Sequence, residues 1–318
     1  ALANGARVLV LEDHRLPRVV IGVTVRRGAG AVPAERAGLA VYTASLMERG
    51  AGNRDALALA QAVDEIGASM GVSAGWDSSS VMLSGLSRDL DRLMEILSDL
   101  VLRPRLAARE AQRVRSEQLA QLASAQDDPG TVAGWAAAKV LYPDHRYGEP
   151  LSGTVESVSR LDAASARKFH SAVFVPENAI LFASGDVRSE DWQQRVDKAF
   201  VAWRPGSELS ETPVPPKPTP ADREIVIVNR PELGQARIIV AHGGIARTSP
   251  DRLAAILVNN VLGGSGFSSR LMARVRSDEG LTYSVSSGFA MRRRAGPFRV
   301  STFTRVPEAR RVVDLLVL

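Results

Sequence analysis

Short apolar alternations and longer helical periodicities follow one another along the first 200 residues. Residues 6–13 (ARVLVLED) and 18–28 (RVVIGVTVRRG) alternate β-branched and polar positions, which predicts two strands. Residues 68–87 predict two more strands joined around 76–78, and residues 179–185 predict a short buried strand. Apolar positions spaced three to four apart predict the intervening helices, at 35–49, 53–66, 89–102, 107–126, 131–141, 163–172 and 192–203.

The last hundred residues repeat this order. A strand at 237–241 leads to Gly243 and Gly244, and a helix follows at 251–262. The segment GASMGVSAGW, which begins at Gly67, lines up with GLTYSVSSGF, which begins at Gly280. Repeated units with short links between strands predict a duplicated α+β fold, in which each domain is an antiparallel sheet with helices packed on one face.

A proline-rich stretch separates the two copies. Residues 206–220 (GSELSETPVPPKPTP) contain five prolines, each of which lacks the backbone N–H and fixes φ, so the stretch is predicted to be an extended linker. The predicted domains are therefore 1–205 and 221–318. The second copy is about half as long as the first, and we expect it to be an incomplete domain.

Composition narrows the functional classes. The absence of cysteine excludes disulfide scaffolds, thiol catalysis and iron–sulfur clusters, and the four histidines show no metal-ligand spacing on one helix. No apolar run approaches the roughly 20 residues that span a bilayer. Residues 221–318 contain 15 Arg and no Lys, a balance that can indicate nucleic-acid binding. The whole chain has only four Lys, and no aromatic residues interleave with the basic ones. A general use of Arg in place of Lys therefore explains the basic segment better than nucleic-acid binding does.

Five segments, taken in order, resemble the pitrilysin/insulinase family of zinc peptidases, which includes mitochondrial processing peptidase. They are NGARVLVLEDHRLPRVVIGVTVRRGAG, GLAVYTASLMERG, PDHRYGEPLSGTVESV, FVPENAILFASGDV and NNVLGGSGFSSRLMARVRSDEGLTYSV. The resemblance covers essentially the whole chain, and it implies the processing-peptidase-like metallohydrolase fold.

The family's zinc motif, H-x-x-E-H, is replaced in this chain. The resemblance puts the motif at Val41, Ala44 and Ser45, and the distal glutamate ligand, eight residues before Pro129, at Gln121. Valine and alanine have no lone pair to offer a metal, and serine and glutamine are poor zinc ligands. We therefore expect no metal and no cofactor in this chain, and no hydrolysis by the chain alone.

A second family feature is kept. Members use an Arg and a Tyr seven residues apart to hydrogen-bond the substrate carbonyl, and Arg276 and Tyr283 match this pattern. Such donors stabilise negative charge on an attacked carbonyl. The structural alternative is an Arg276 paired with Asp278 or Glu279 and a tyrosine packed in the sheet.

The glycine-rich stretch Gly263, Gly264, Ser265, Gly266 and Phe267 follows the helix predicted at 251–262. It lacks the strand and the Lys-Ser/Thr of a phosphate-binding loop. Either it is a helix C-cap with a flexible turn, or it matches the substrate-handling loop that the noncatalytic subunit of the mitochondrial enzyme carries.

The resemblance implies a noncatalytic subunit of a heterodimeric metallopeptidase. A homologous partner would supply the zinc, or the chain would self-associate, and the substrate would be an unfolded peptide that adds a strand to a sheet edge within residues 71–84. The alternatives are an assembly subunit resembling the core proteins of respiratory complex III, a peptide-binding module without a partner enzyme, and, last, a nucleic-acid-binding protein. A removed signal peptide would leave a chain without an initiator Met, which favours a periplasmic over a cytoplasmic location.

Overall fold

The described part of the chain contains the strands and helices that its apolar pattern predicts, in the predicted order, together with further elements that were not predicted. The computed structural model describes residue 2 and residues 4–206 and 224–317, so the predicted linker lies, apart from Gly206, outside the described residues. The elements before it are β1 (Arg7–Glu12), β2 (Arg18–Val25), α1 (Leu39–Met47), β3 (Gly50–Ala51), β4 (Arg54–Asp55), α2 (Ala56–Asp64), β5 (Ser69–Ala74), β6 (Ser79–Leu86), α3 (Leu90–Leu102), α4 (Ala108–Asp127), α5 (Pro129–Leu141), α6 (Val155–Ser159), α7 (Ala163–Val173), β7 (Ala179–Gly185) and α8 (Ser189–Ala199). Those after it are β8 (Gln235–Gly243), α9 (Arg252–Asn259), β9 (Val285–Phe289), β10 (Pro297–Arg305) and α10 (Ala309–Val317).

The described chain forms two compact units. The first contains the described residues up to Leu122 and from Leu151 to 206, and the second contains Ala123–Pro150 and 224–317. The predicted domain boundaries assigned residues 123–150 to the first domain, whereas in the structure α5 packs on β8 of the second unit. The predicted linker stays a prediction.

A five-stranded sheet forms the centre of the first unit, in the order β1-β7-β2-β6-β5. Neighbouring strands are antiparallel except β1 and β7, which pair in parallel, so the sheet is mixed rather than purely antiparallel. This parallel pair joins residues more than 160 positions apart, a pairing that no local pattern encodes. β1 and β5 are the two edges of the sheet.

The core of the first unit lies between this sheet and its helices. Alternate side chains of β6 are buried, and α3 packs on β6 and β2. Leu93, Leu97 and Leu100 of α3 are completely buried, as are Ile21 and Leu83 of the sheet. Each such side chain contributes about 1.5–3 kcal/mol on leaving water, which explains why the amphipathic pattern of α3 fixes its position.

The second unit repeats part of this arrangement. Its sheet has the order β8-β10-β9, all antiparallel, which corresponds to β2-β6-β5 of the first unit. Ile238, Val275, Phe298, Val300 and Val312 belong to its core. The internal duplication read from the sequence is therefore visible in the topology. Across the residues that the structure describes, no helix is both long and apolar enough to cross a membrane.

Candidate functional site

Helix α1 carries three of the four positions at which the family motif was expected. It begins after Gly38, whose φ of +87° and whose approach to the carbonyl oxygen of Ser152, 2.4 Å from the position of a Cβ, both require glycine. On this helix Ala44 is buried, while Val41 and Ser45 are partly exposed. The helix therefore presents a methyl group, an isopropyl group and one hydroxyl where a metal site needs imidazole nitrogens and a carboxylate.

Helix α4 carries the fourth position, Gln121, which is exposed. One turn earlier, Gln118 is buried and its amide nitrogen donates to the carbonyl oxygens of Gly38 (3.3 Å) and Ser152 (2.8 Å). The amide of Gln118 therefore holds the start of α1 in place, a role that no motif in the sequence indicates.

Two further contacts join α1 to α4. Arg49 and Glu117 form an ion pair at 2.7 Å, and the hydroxyl of Tyr42 donates to the carbonyl oxygen of Ala111 at 2.8 Å. Burial raises the pKa of Tyr42 to about 12, so this donor stays protonated at any physiological pH. These contacts hold α1 and the residues that follow it against α4.

These residues do not fit a zinc ion. The four motif positions offer one hydroxyl and one neutral amide, neither of which replaces histidine or glutamate as a ligand. Within 4–206 and 224–317, no three His, Cys, Asp or Glu side chains come close enough to hold a metal.

Arg276 and Tyr283 meet at the surface of the second unit. The guanidinium Nη1 of Arg276 donates to the backbone oxygen of Tyr283 at 2.7 Å, and its Cζ lies 4.4 Å from the centre of the tyrosine ring. The Cζ also lies 4.5 Å from the centre of the ring of Phe267. Both rings are 71% exposed. We call these three residues the Arg276 cluster.

The structure does not show the alternative arrangement, in which Arg276 pairs with Asp278 or Glu279 and Tyr283 packs in the sheet. Glu279 forms ion pairs with Arg274, at 3.9 Å, and with Arg311, rather than with Arg276. The ring of Tyr283 faces solvent instead of packing in the sheet. The cluster therefore displays an arginine and a phenol hydroxyl at the surface, where both can reach a bound molecule.

The glycine-rich stretch brings Phe267 to this cluster. The predicted helix ends earlier than expected, because α9 stops at Asn259 and a wider π-helical turn, Asn260–Gly264, follows. A Cβ on Gly263 would stand 2.5 Å from the Oγ of Ser287, so this glycine permits close packing on β9. Asn259 and Ser287 exchange two hydrogen bonds across the same junction, at 2.7 and 3.1 Å.

A second π-helical segment, Met272–Asp278, contains Arg276 itself. Such segments are rare and are often found at functional sites. The glycines, Arg276 and Tyr283 were each predicted as site residues from the sequence. The contact between Phe267 and Arg276 was not predicted, and neither were the hydrogen bonds between Asn259 and Ser287. No spacing rule connects an aromatic residue to an arginine nine positions later across irregular backbone.

His145 is buried in the second unit. Its Nδ1 accepts a hydrogen bond from the backbone N–H of Tyr147 at 3.1 Å, and its ring stands edge-on to the Tyr147 ring at 4.5 Å. The ring therefore caps the turn that begins at Arg146.

The fold and the replaced motif define a class: a two-unit α+β protein built like a metallopeptidase, without the metal donors. Comparison with known proteins gives the family. Residues 7–155 match the model of insulinase (peptidase family M16), and residues 160–317 match the model described as the peptidase M16 inactive domain. The chain belongs to the M16 family.

Solved structures agree with this assignment. A peptidase M16 inactive domain from Pseudomonas fluorescens superposes with a TM-score of 0.90 at 27% identity, over 99% of this chain and 76% of that one. A protease from Helicobacter pylori gives a TM-score of 0.92 at 18% identity, over 99% of this chain and 77% of that one, which shows the fold alone.

Curated relatives are similar over most of the chain. An uncharacterized zinc protease of Streptomyces coelicolor is 28% identical over 297 residues, which cover 91% of this chain and 64% of that protein. One of Mycobacterium tuberculosis is 28% identical over 292 residues, which cover 90% of this chain and 65% of that protein. The chain thus spans somewhat less than two thirds of the length of these relatives.

Proposed function

We propose that this chain is the zinc-free subunit of a two-chain peptidase and presents the Arg276 cluster to a peptide whose cleavage a zinc-bearing relative performs. The observation that carries the proposal is the contrast between the two predicted sites. The four metal positions contain no histidine and no glutamate, whereas the arginine and the tyrosine remain together at the surface.

The chemistry of the cluster suits a peptide carbonyl. A guanidinium supplies a fixed positive charge and several N–H donors, and a phenol supplies one O–H donor. Donors of this kind stabilise the negative charge that develops on a carbonyl oxygen under attack. In this role neither residue transfers a proton or forms a bond, so the chain contributes binding and polarisation while the partner supplies the nucleophile.

The substrate of the proposal is an extended peptide. Of the segment predicted as a strand-accepting edge, β6 is internal to the sheet and only β5 stands at an edge. An edge strand offers unpaired backbone N–H and C=O groups to which a peptide adds as a further strand. Within the first unit, β5 is therefore the strand to which an extended peptide would add.

The test is cleavage of an unfolded peptide by this chain mixed with a zinc-bearing M16 relative. We expect the mixture to exceed the relative alone, and Arg276→Ala and Tyr283→Phe each to lower kcat/KM by at least tenfold while the two chains still co-elute. Arg305→Ala is the matched control, because Arg305 is an exposed arginine of the same unit that pairs with Glu308 at 3.8 Å.

Two outcomes contradict the proposal. One is chelator-sensitive cleavage by this chain alone. The other is full activity of the mixture after both cluster substitutions, which, with co-elution retained, would favour an assembly subunit instead.

A further inference from the structure

The outer edge of β5 is not fully open, because a side chain already occupies its central donor. The backbone N–H of Val72 donates to the Oε1 of Glu48 at 2.7 Å. Val72 lies in the middle of β5, opposite Val81 of β6. An N–H bonded to a side chain outside the ladder points away from β6, and residues two positions away share its direction. Met70, Val72 and Ala74 therefore present the edge.

Glu48 reaches this edge from the end of α1. It follows the last residue of the helix, three positions after Ser45, and its side chain is half-buried. Burial raises the pKa of the Glu48 carboxyl, and the N–H of Val72 counteracts part of that rise. The carboxylate oxygen stands where the carbonyl oxygen of an added strand would accept the same N–H.

The end of α1 is an electrostatically unfavourable place for the carboxylate of Glu48. The C-terminal end of a helix carries partial negative charge, which disfavours a carboxylate. The adjacent Arg49 is bound to Glu117 of α4 at 2.7 Å. The hydrogen bond from Val72, followed by the nearby charge of Arg49, offsets the unfavourable position and the loss of solvation, and only the bond from Val72 is a direct contact with the sheet edge.

We propose that Glu48 is a built-in gate on the β5 edge, which an extended peptide displaces in order to pair with Val72. This inference rests on the proposed function for the nature of the ligand, and it adds the regulation of the same edge. Natural sheets commonly protect an edge with a charged side chain. Here the charged side chain directly follows α1, the helix that carries Val41, Ala44 and Ser45.

Two substitutions of Glu48 distinguish the effect of its hydrogen bond to Val72 from the effect of its negative charge. Glu48→Gln keeps an acceptor oxygen of the same length and should leave the edge closed. Glu48→Ala removes the acceptor and should raise peptide affinity about tenfold or more, the value of one hydrogen bond to a charged group. Glu156→Ala is the matched control, because Glu156 is 78% exposed on α6 and pairs with Arg160.

The probe is a fluorescein-labelled decapeptide of alternating valine and threonine with blocked ends, and the readout is fluorescence anisotropy with the full chain. Val72→Pro in the Glu48→Ala background should abolish the gain, because proline lacks the N–H and is tolerated at an outward-facing edge position. Equal peptide affinity of the wild type and Glu48→Ala overturns the gate. The proposal is also overturned if the gain in peptide affinity persists after Val72→Pro, or if the Glu48→Ala variant associates with itself and does not bind the peptide.

Hydrogen exchange of the wild-type chain provides a second measurement that needs no variant to fold. The amide of Val72 should exchange at least tenfold more slowly than those of Met70 and Ala74, and equal rates would overturn the contact. Neither experiment needs a partner or cleavage. The two experiments on Glu48 can therefore be interpreted even if the two-chain peptidase test fails. If the gate is refuted, the proposed role of the Arg276 cluster is not affected.

Discussion

Acidification should destabilise the first unit through one histidine, His170 of α7. Its Nε2 lies 3.0 Å from the carbonyl oxygen of Val101, and its ring stacks on Phe174 at 4.8 Å. Burial lowers the pKa of His170 from 6.5 to about 4, and the bond to the Val101 carbonyl opposes only part of that effect. The folded state therefore keeps this side chain neutral at a pH at which the unfolded chain protonates it.

The size of the effect follows from the two pKa values. A difference of about 2.5 pH units at about 1.36 kcal/mol each sets an upper limit of about 3.4 kcal/mol. The unfolded state binds the proton below pH 6.5 and the folded state only near 4, so stability falls as the pH drops through this window. About 2.5 kcal/mol of the loss should be reached at pH 4.5.

The assay is urea unfolding of the wild type and of His170→Gln from pH 7.5 to 4.5, followed by the fluorescence of the buried Trp192 and Trp203. The quantity compared is the difference in free energy of unfolding between the two proteins. His14 titrates in the opposite sense, because Asp186 and Glu12 raise its pKa, but it is common to both proteins and cancels. A difference that stays constant across this pH range would refute the reasoning.

Three further substitutions test the packing and the site. Tyr42→Phe removes the buried hydroxyl that donates to the Ala111 carbonyl, and urea unfolding should show a loss of about 1 kcal/mol. Asp99→Ala removes the buried carboxylate that binds Arg54 at 2.9 Å and also binds Arg103, while Arg54 keeps its 2.5 Å pair with Glu95, so we expect a loss of about 1.5–3 kcal/mol by the same assay; a loss below about 1 kcal/mol would contradict a stabilising role for the Asp99 carboxylate. Phe267→Leu should lower the cleavage rate of the two-chain mixture several-fold, because a cation–π contact contributes about 0.5–1 kcal/mol at an exposed site; its thermal midpoint should stay unchanged, and a lowered midpoint would assign the ring to packing instead.

The predictability of the fold varied with the range of the interaction. Residues 107–126 were predicted as a helix and form α4, Ala108–Asp127, because helical periodicity is local. The helix predicted at 192–203 instead spans Ser189–Ala199, since apolar spacing marks the middle of a helix better than its ends. The sheet was predicted to be antiparallel, and it is so except at β1 and β7, which pair in parallel; this pairing was not predicted, because it joins segments more than 160 positions apart in the sequence.

The candidate site divides in the same way. The loss of metal donors at Val41 and Ala44 can be read from the sequence, because a side chain without a lone pair cannot bind zinc in any fold. The approach of Phe267 to Arg276 could not be read, since it depends on two π-helical segments and on the packing of Gly263 against Ser287.

The sequence by itself determined most of the elements, the duplication and the absence of histidine and glutamate at the motif positions. Periodicity and side-chain type are local properties, and a repeat is found by comparing two segments of the sequence without knowing how they pack. Only the tertiary structure decided which groups meet. The contact of Glu48 with Val72 joins a helix end to a sheet edge 24 residues away, and it exists because α1 packs along β5. Whether an edge is open or closed is a property of the assembled sheet and of the side chains that reach it.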